Sequence, residues 1–162
     1  MEIVKVVALE SIKEVSQLAY KLFPIYYDYV NPKHVKDYLD RYQSEDALNH
    51  QLNDNFVYYL VKDDDQKSIG YIGLEQLSDK VQLSKLYLDP EKRGKGMGRQ
   101  LMNWIKDWTK SKSLGQIDLY VMQENKPAIQ FYLKEGFEIT GGFLEKFDSG
   151  EVEYNHIMSY SF

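Results

Sequence analysis

Residues 86–102 read LYLDPEKRGKGMGRQLM, and this stretch decides the fold. A strand-like run ends at Asp89-Pro90, because proline cannot donate a hydrogen bond to a neighbouring strand. Glycines then stand at positions 94, 96 and 98, with basic residues between them. Apolar residues follow at helical spacing, and they are Met97, Leu101, Trp104, Ile105 and Trp108. The stretch therefore predicts a strand, a bare basic turn and an amphipathic helix that packs on a sheet.

The glycine turn has the chemistry of a phosphate site. Backbone N–H groups at the start of a helix favour an anion, and glycines let the anion approach without a side chain in the way. Arg93, Lys95 and Arg99 add charge-assisted hydrogen bonds, so a pyrophosphate would fit. The two common nucleotide motifs do not match, because GxGxxG needs a glycine where Arg99 stands and GxxxxGK followed by Ser or Thr is absent. A flexible basic surface turn is the alternative interpretation.

Patterns along the remaining chain predict strands and helices in mixed order. The β-branched run Ile3 to Leu9 predicts a strand, and Ser11 to Glu14 predicts a capping box that opens a helix. Helix N-caps are predicted at Asn31, Ser44 and Asn125, and a left-handed helix end at Gly136. Further strands are predicted over residues 56–62, 67–76, 80–88, 115–122, 137–147 and 151–160. We expect an α/β fold (α+β by some conventions), with a mixed central sheet and helices on both faces, in a single domain spanning residues 1–162.

Composition restricts the function classes. The chain has 162 residues, of which 43% are hydrophobic and 28% charged, the balance of one soluble globular domain. It has no cysteine, which excludes disulfides and thiolate chemistry, and its three histidines are scattered, so no metal site is expected. No apolar run is long enough for a membrane span or a signal peptide, so we expect a cytoplasmic protein without a membrane partner. The net charge of -5 argues against nucleic acid as a partner and is compatible with a cationic small substrate.

Two segments carry a resemblance to a known family. Residues 93–98, RGKGMG, resemble the Arg/Gln-x-x-Gly-x-Gly/Ala motif of the GNAT family of N-acetyltransferases, whose cofactor is acetyl-CoA. Residues 125–137, NKPAIQFYLKEGF, are similar to the family's N-x-x-A-x-x-F-Y-x-x-x-G-F segment, at the distance of one helix and one strand. The resemblance spans nearly the whole chain. It implies the GNAT acyl-CoA N-acyltransferase fold and the transfer of an acetyl group to an amine.

The resemblance also implies which residues bind the cofactor. The backbone of Leu86, Tyr87 and Leu88 would pair with the pantetheine arm, in a V-shaped slot where this strand splays from the strand at 117–121. The pyrophosphate would be held by Arg93, Gly94, Lys95, Gly96, Met97, Gly98 and Arg99. Asn125 and Tyr132 would lie near the cofactor, with Tyr132 beside the sulfur. The alternatives are a plain helix cap for Asn125 and core packing for Tyr132.

The acceptor side is suggested by a second resemblance. The tyrosine-rich stretch Phe23 to Tyr29 and the helix after it are similar to bacterial spermine/spermidine acetyltransferases of the PaiA type, which implies a polyamine acceptor. Asp28, Asp37 and Glu75 could attract a polyamine, although most surface carboxylates are simply solvated.

Acetyl transfer makes three chemical demands on the chain. A primary amine with a pKa of about 10.4 must lose a proton before it attacks a thioester. The resemblance implies that the Leu88 N–H stabilises the oxyanion and that Tyr132 protonates the departing thiolate. The residue that acts as the general base is not identified by the sequence, because Ser84 or Gln82 stands where related polyamine acetyltransferases place a glutamate. We expect proton removal through ordered water, assisted by Glu75.

Other functions stay open at this point. A non-catalytic acetyl-CoA-binding sensor or interaction module would use the same fold, and the missing strand carboxylate favours it slightly. Tyr132 and Asn125 favour the enzyme more, since a binder has less need of a phenol at the sulfur. A nucleotide-binding protein is a third and weaker interpretation. The resemblance also implies a possible homodimer through the C-terminal strands or an exposed sheet edge.

Overall fold

The computed structural model describes residues 1–162 and contains seven β-strands and five α-helices. The strands are β1 (Glu2–Lys5), β2 (Phe56–Lys62), β3 (Ser68–Gln76), β4 (Val81–Leu88), β5 (Gln116–Met122), β6 (Glu138–Lys146) and β7 (Val152–Ser161). The helices are α1 (Leu9–Tyr26), α2 (Pro32–Tyr42), α3 (Glu45–Leu52), α4 (Met97–Ser111) and α5 (Lys126–Lys134), and a 3-10 turn covers Pro90–Lys92. The predicted order of strands and helices is confirmed.

The strands form a sheet in the order β1-β2-β3-β4-β5-β7-β6. The β1/β2, β2/β3, β5/β7 and β6/β7 pairs are antiparallel, and the β4/β5 pair is parallel. The parallel ladder joins Val81 to Ile117 and Gln82 to Asp118. Parallel neighbours need a crossover connection, and the segment containing α4 supplies it. The sheet is therefore mixed, as the sequence predicts.

Contacts within the chain divide it into two compact units. The first unit comprises residues 1–75 and 85–95, and its core includes buried residues of the first three helices and of β2 and β3: Val15, Leu22, Leu39, Leu48, Leu60 and Tyr71. The second unit comprises residues 76–84 and 96–162, and its buried residues include Leu101, Met102, Ile105, Ile117, Leu119 and Met158. The single domain over residues 1–162 stays a prediction.

Local sequence signals explain several element boundaries. The side chains of Asn31, Ser44 and Asn125 accept hydrogen bonds from backbone N–H groups two or three residues further on, at 2.9, 3.2 and 3.4 Å. Each of these bonds satisfies a donor that the first turn of a helix leaves unpaired. Gly136, beyond α5, has φ of 91°, a conformation that glycine adopts at little cost. These four predictions are confirmed.

The start of the chain differs from the prediction. β1 ends at Lys5 and not at Leu9, and α1 begins at Leu9, ahead of the predicted capping box. The hydroxyl of Ser11 accepts from the N–H of Ala8 at 3.2 Å and donates to its carbonyl at 2.8 Å, so Ser11 lies inside the first turn and is not its cap. The prediction of Ser11 as the N-cap was wrong. A serine hydroxyl can bond to the backbone three residues before it as well as to the backbone after it, and Ser11 does the former.

Candidate active site

The end of β4 lies very close to β3 in the first unit. A Cβ on Gly70 of β3 would lie 2.3 Å from the carbonyl oxygen of Tyr87 and 3.1 Å from the Cα of Leu88, so any other residue would force the backbone to shift. Because the oxygen is the nearest atom, the Tyr87 carbonyl points toward Gly70. Across the trans peptide bond the Leu88 N–H points the other way. The predicted oxyanion donor is thus directed away from Gly70.

The next peptide group, between Leu88 and Asp89, is held at both of its polar atoms. The hydroxyl of Tyr26, at the end of α1, donates to the Leu88 carbonyl oxygen. The Asp89 N–H donates to the carbonyl of Ile69 on β3 at 2.7 Å. A peptide group that is bonded on both sides cannot rotate without breaking a hydrogen bond. This part of the chain therefore has a fixed orientation.

Side chains hold the rest of Leu88–Arg93, which we call the anchor segment. The Lys21 ammonium lies 2.8 Å from the Asp89 carboxylate. This hydrogen bond lowers the pKa of Asp89 and raises the pKa of Lys21. The Arg93 guanidinium lies over the ring of Tyr26, 4.3 Å from its centre. Residues of the first unit therefore fix the segment from its first residue to its last.

The glycines after the anchor segment have open surroundings. Gly94 and Gly96 have φ of 85° and 73°, values that residues with side chains rarely adopt. A Cβ at either position would meet no atom within 4 Å. Gly98 is different, because its Cβ would lie 3.4 Å from the ring of Phe131. The predicted bare turn is present at positions 94 and 96. Gly98 has an ordinary contact distance to Phe131 of α5, and its role toward a cofactor stays a prediction.

The basic residues of the turn are exposed, and one of them has a carboxylate partner. Arg93, Lys95 and Arg99 all face solvent. The Nε of Arg99 lies 3.7 Å from the Glu135 carboxylate, while 73% of the Arg99 side chain stays exposed. The guanidinium is thus accessible to an anion, but Glu135 balances part of its charge.

Asn125 and Tyr132 have structural contacts in the second unit. Asn125 caps α5, as described above. The half-buried ring of Tyr132 meets Phe131 and Phe137 edge-on, with ring centres 5.3 and 5.6 Å apart. Packing of this kind fixes the ring orientation. The contacts fit both interpretations of these residues, and their roles toward a cofactor stay predictions.

The acidic candidates of the first unit differ in exposure. Asp28 and Asp37 face solvent, whereas Glu75 is half-buried at the end of β3. One oxygen of Glu75 accepts a hydrogen bond from the Asn55 amide at 3.1 Å. Glu75 is therefore the one carboxylate of the three that is partly shielded from solvent, and its role as a base stays a prediction. In the second unit Gln82 is 8% exposed and, like Ser84, offers no base.

Sequence reasoning missed a buried carboxylate on β5. Asp118 is 5% exposed and accepts from the Lys80 ammonium at 2.7 Å and from the Gln116 amide at 2.6 Å. Burial acts to raise the pKa of Asp118, but these hydrogen bonds outweigh it and the pKa is lowered. Asp118 therefore stays ionised and paired.

Sequence reasoning also missed a buried lysine within an aromatic cluster of the first unit. Lys85 on β4 is 8% exposed, and its ammonium donates to the Tyr38 hydroxyl at 3.1 Å. Burial lowers the pKa of Lys85 and raises that of Tyr87 well above its ordinary value, so Tyr87 stays protonated. The available signal for burial of Lys85 was the alternation of side chains along a strand, because it places positions 85 and 87 on the same face of β4. Other rings of the cluster belong to Phe23, Tyr26, Tyr27, Tyr58 and Tyr71.

These local features suit a phosphate ligand. Exposed cations, two left-handed glycines without neighbours and the unpaired N–H groups of the first turn of α4 all come within residues 93–99.

Two other kinds of site are not found in the structure. No helix has the length and apolar character to cross a membrane. No group of three or more His, Asp or Glu side chains is arranged to hold a metal ion.

Comparison with known proteins gives a family match and several relatives. The sequence model of the acetyltransferase (GNAT) family matches residues 17–137. A spermidine N(1)-acetyltransferase of Thermoplasma acidophilum is 27% identical over 135 residues, 81% of this chain and 83% of that protein. A Bacillus subtilis protein, provisionally named [ribosomal protein bS18]-alanine N-acetyltransferase, is 31% identical over 111 residues, 67% of this chain and 73% of that protein.

Solved structures share the same fold. The PaiA N-acetyltransferase of Thermoplasma acidophilum in complex with coenzyme A superposes with a TM-score of 0.77 over 100% of both chains, at 22% identity. The spermidine N-acetyltransferase of Vibrio cholerae, in complex with CoA and spermine, gives a TM-score of 0.74 over 99% of this chain and 94% of that one, also at 22% identity. The predicted fold class is confirmed.

Proposed function

The chain belongs to the acetyltransferase (GNAT) family, and from this premise we propose that it transfers the acetyl group of acetyl-CoA to a primary amine of a polyamine, such as spermidine or spermine. The predicted enzyme class is confirmed by the family match and by relatives named as N-acetyltransferases. The acceptor and the role of each residue are the proposal. The observation that carries the use of acetyl-CoA is the open, left-handed backbone at Gly94 and Gly96, between an anchored arginine and the start of α4.

Cofactor binding is proposed for the residues named from the sequence. The backbone of Leu86, Tyr87 and Leu88 would pair with the pantetheine arm, and Arg93 to Arg99 would hold the diphosphate. The exposed cations and open amides of residues 93–99 support this assignment, because phosphate oxygens need donors that no side chain obstructs. When bound, acetyl-CoA supplies a thioester that an amine can attack.

Three residues are proposed for the chemistry. The Leu88 N–H would donate to the developing oxyanion, and its direction away from Gly70 supports that role. The Tyr132 hydroxyl would give its proton to the departing thiolate, and the flanking rings of Phe131 and Phe137 would hold it in place. Glu75 would assist removal of the amine proton through water, since it is half-buried and hydrogen-bonded.

The acceptor is proposed from the relatives and from charge. Two of the related proteins are spermidine N(1)-acetyltransferases, from Thermoplasma acidophilum and Vibrio cholerae. The net charge of -5 and the carboxylates of Asp28, Asp37 and Glu75 in the first unit suit a polycation. The Bacillus subtilis relative, named for an alanine of a ribosomal protein, suggests a protein alanine as the competing acceptor.

Assembly and location belong to the proposal as well. A homodimer would cover apolar side chains that β6 and β7 expose, among them Ile139, Leu144 and Tyr154, which are 48%, 43% and 50% exposed. The cytoplasmic location and the single domain over residues 1–162 are part of this proposal.

An assay of thiol release tests the function directly. The protein is mixed with acetyl-CoA and with spermidine, spermine, arylalkylamines, amino acids or an alanine-terminated peptide, and free CoA thiol is followed over time. We expect the fastest release with the polyamines and none without an amine. Faster release with the peptide would overturn the proposed acceptor. Binding of CoA without any amine-dependent release would favour the non-catalytic module, and competition by ATP or NAD but not by CoA would favour a nucleotide-binding protein.

Substitution of Tyr132 tests the proposed acid. Tyr132→Phe keeps the ring packing and removes the hydroxyl, so we expect kcat to fall about hundredfold with the KM for acetyl-CoA nearly unchanged. Tyr120→Phe is the control, because Tyr120 is 56% exposed on β5. Equal turnover in the Tyr132→Phe variant and the control would refute the role.

Substitution of Glu75 tests the proposed base. Glu75→Gln keeps an acceptor for Asn55 but cannot take a proton, so the acid limb of the pH dependence of kcat/KM should shift or disappear. An unchanged pH profile would remove Glu75 from the mechanism and leave ordered water alone.

A further inference from the structure

We propose that Tyr26 is a positioning residue that fixes both ends of the anchor segment for catalysis. The proposal rests on the proposed function, because it concerns the predicted oxyanion donor and the predicted diphosphate ligand. One side chain reaches both. The hydroxyl of Tyr26 donates to the Leu88 carbonyl oxygen, and its ring lies 4.3 Å below the Arg93 guanidinium.

The hydroxyl acts on the orientation of the backbone at Leu88. The Leu88 carbonyl is bonded to Tyr26, and the same peptide group is bonded through the Asp89 N–H to Ile69. The preceding peptide group is confined by the close approach of Gly70 to the Tyr87 carbonyl. An oxyanion donor is effective only when its N–H is already aimed at the charge that develops. Loss of the Tyr26 hydroxyl leaves the Leu88 carbonyl without this hydrogen bond. The direction of the Leu88 N–H bond would then vary more.

The ring acts on Arg93. A guanidinium over an aromatic face is attracted by the ring quadrupole, and the ring restricts where a flexible arginine can point. Burial raises the pKa of Tyr26 although Arg93 acts to lower it, so the hydroxyl keeps its proton at neutral pH and remains a donor. The Arg93 guanidinium also hydrogen-bonds the Tyr26 hydroxyl. Tyr26→Phe therefore removes the hydroxyl bonds to both ends of the segment, and Tyr26→Leu removes the aromatic face under Arg93 in addition.

The other contacts of the segment do not duplicate this arrangement. Lys21 reaches Asp89, and Asp63 reaches Lys92 at 3.4 Å. Both ion pairs hold residues inside the segment, whereas Tyr26 contacts its first and its last residue. Tyr26 is also the last residue of α1, within the tyrosine-rich stretch Phe23 to Tyr29 of the predicted acceptor side. A displacement of the end of α1 would move both ends of the anchor segment together.

The experiment compares Tyr26→Phe, Tyr26→Leu and the control Tyr20→Phe with the wild-type protein. Tyr20→Phe removes a hydroxyl hydrogen bond of the same helix that goes to Asp40 instead. Three quantities are measured: kcat with acetyl-CoA and the best amine, the dissociation constant of CoA by calorimetry, and amide hydrogen exchange of residues 86–95 without any ligand. Thermal melting of each variant shows that it is folded.

We expect Tyr26→Phe to lower kcat about fivefold, the scale of one lost hydrogen bond, with CoA affinity within about twofold of wild type. Tyr26→Leu should show the same loss of kcat and also weaken CoA binding about fivefold, since the ring is gone. Both variants should speed exchange of the Asp89 amide, whose N–H is bonded to Ile69, and Tyr20→Phe should not.

The outcomes separate this inference from the proposed function. If wild-type protein binds CoA and releases thiol, but Tyr26→Phe matches Tyr20→Phe in kcat and in exchange, the positioning role is overturned and the function stands. If Tyr26→Phe weakens CoA binding as much as Tyr26→Leu does, the aromatic face has no part of its own in placing Arg93, and that part of the inference is overturned. If wild-type protein neither binds CoA nor releases thiol, the proposed function fails and the inference fails with it.

Discussion

The anchor segment and the glycines that follow it are adjacent in sequence but have opposite surroundings. From Leu88 to Arg93 the chain is held by hydrogen bonds, ion pairs and a cation–π contact. At Gly94 and Gly96 an added Cβ would meet nothing within 4 Å. If residues 93–99 bind the diphosphate as proposed, a held arginine followed by open amides would favour the anion, because the cation is already placed and no side chain blocks the amides. The difference shows that rigidity and openness are built into consecutive residues.

The largest expected effect comes from crowding the anchored side. Gly70→Ala places a methyl group 2.3 Å from the Tyr87 carbonyl, and the backbone must move to relieve the clash. We expect a loss of about 3 kcal/mol in the free energy of unfolding, the upper range for overpacking. Chemical denaturation measures it. Gly115→Ala is the control, because its Cβ would meet no atom within 4 Å. Equal stability of the two variants would show that the approach of β3 to β4 is not tight.

A smaller effect is expected on the open side, and it has another cause. Gly96→Ala meets no neighbour but must adopt φ of 73°, which costs about 1 kcal/mol. Gly96→Asn should lose less stability, because asparagine tolerates the left-handed region. Both variants place a side chain where the diphosphate would approach, so both should weaken CoA binding in calorimetry. If Gly96→Asn bound CoA as tightly as wild type, the openness at position 96 would serve no ligand.

The smallest effect is expected from the ion pair that holds Asp89. The folded-state pKa of Asp89 is lowered, so its contribution to stability is present above the unfolded-state pKa and is lost as the pH falls through the folded-state value. Because Lys21 is 60% exposed, we expect about 0.5 kcal/mol. Asp89→Asn should therefore reduce the slope of stability against pH in the acid range, measured by denaturation at a series of pH values. An unchanged slope would show that the ion pair of Lys21 and Asp89 does not stabilise the anchor segment.

Much of the fold follows from local sequence. Caps at Asn31, Ser44 and Asn125 and the stop at Gly136 depend on the chain's own nearby backbone, so they were predicted correctly. The exception is the start of α1. β-branched residues predicted a strand as far as Leu9, but β1 ends at Lys5. Val7 is 78% exposed, and without a partner strand β propensity does not decide the structure.

The candidate site was predictable only in part. The glycines carry their own backbone signal, but the contacts of Tyr26 join residues 62 positions apart in sequence, which no local pattern reveals. Lys85 shows the same limit, since its ammonium contacts Tyr38 of α2, which lies 47 positions away in the sequence. Lysine side chains are rarely buried, so the residue type predicted an exposed position. The alternation along the strand predicted a buried one. Packing decided in favour of the strand pattern.

The most direct measurement is a calorimetric titration of the wild-type protein with CoA and, separately, with pantetheine, which keeps the arm and the thiol but lacks the diphosphate and the 3′-phosphoadenosine attached to it. If the amides and cations of residues 93–99 grip the diphosphate, CoA binds with a saturable heat and pantetheine binds at least about hundredfold more weakly, since several charge-assisted hydrogen bonds are lost. Absence of heat with CoA, or equal affinity for the two ligands, would contradict this.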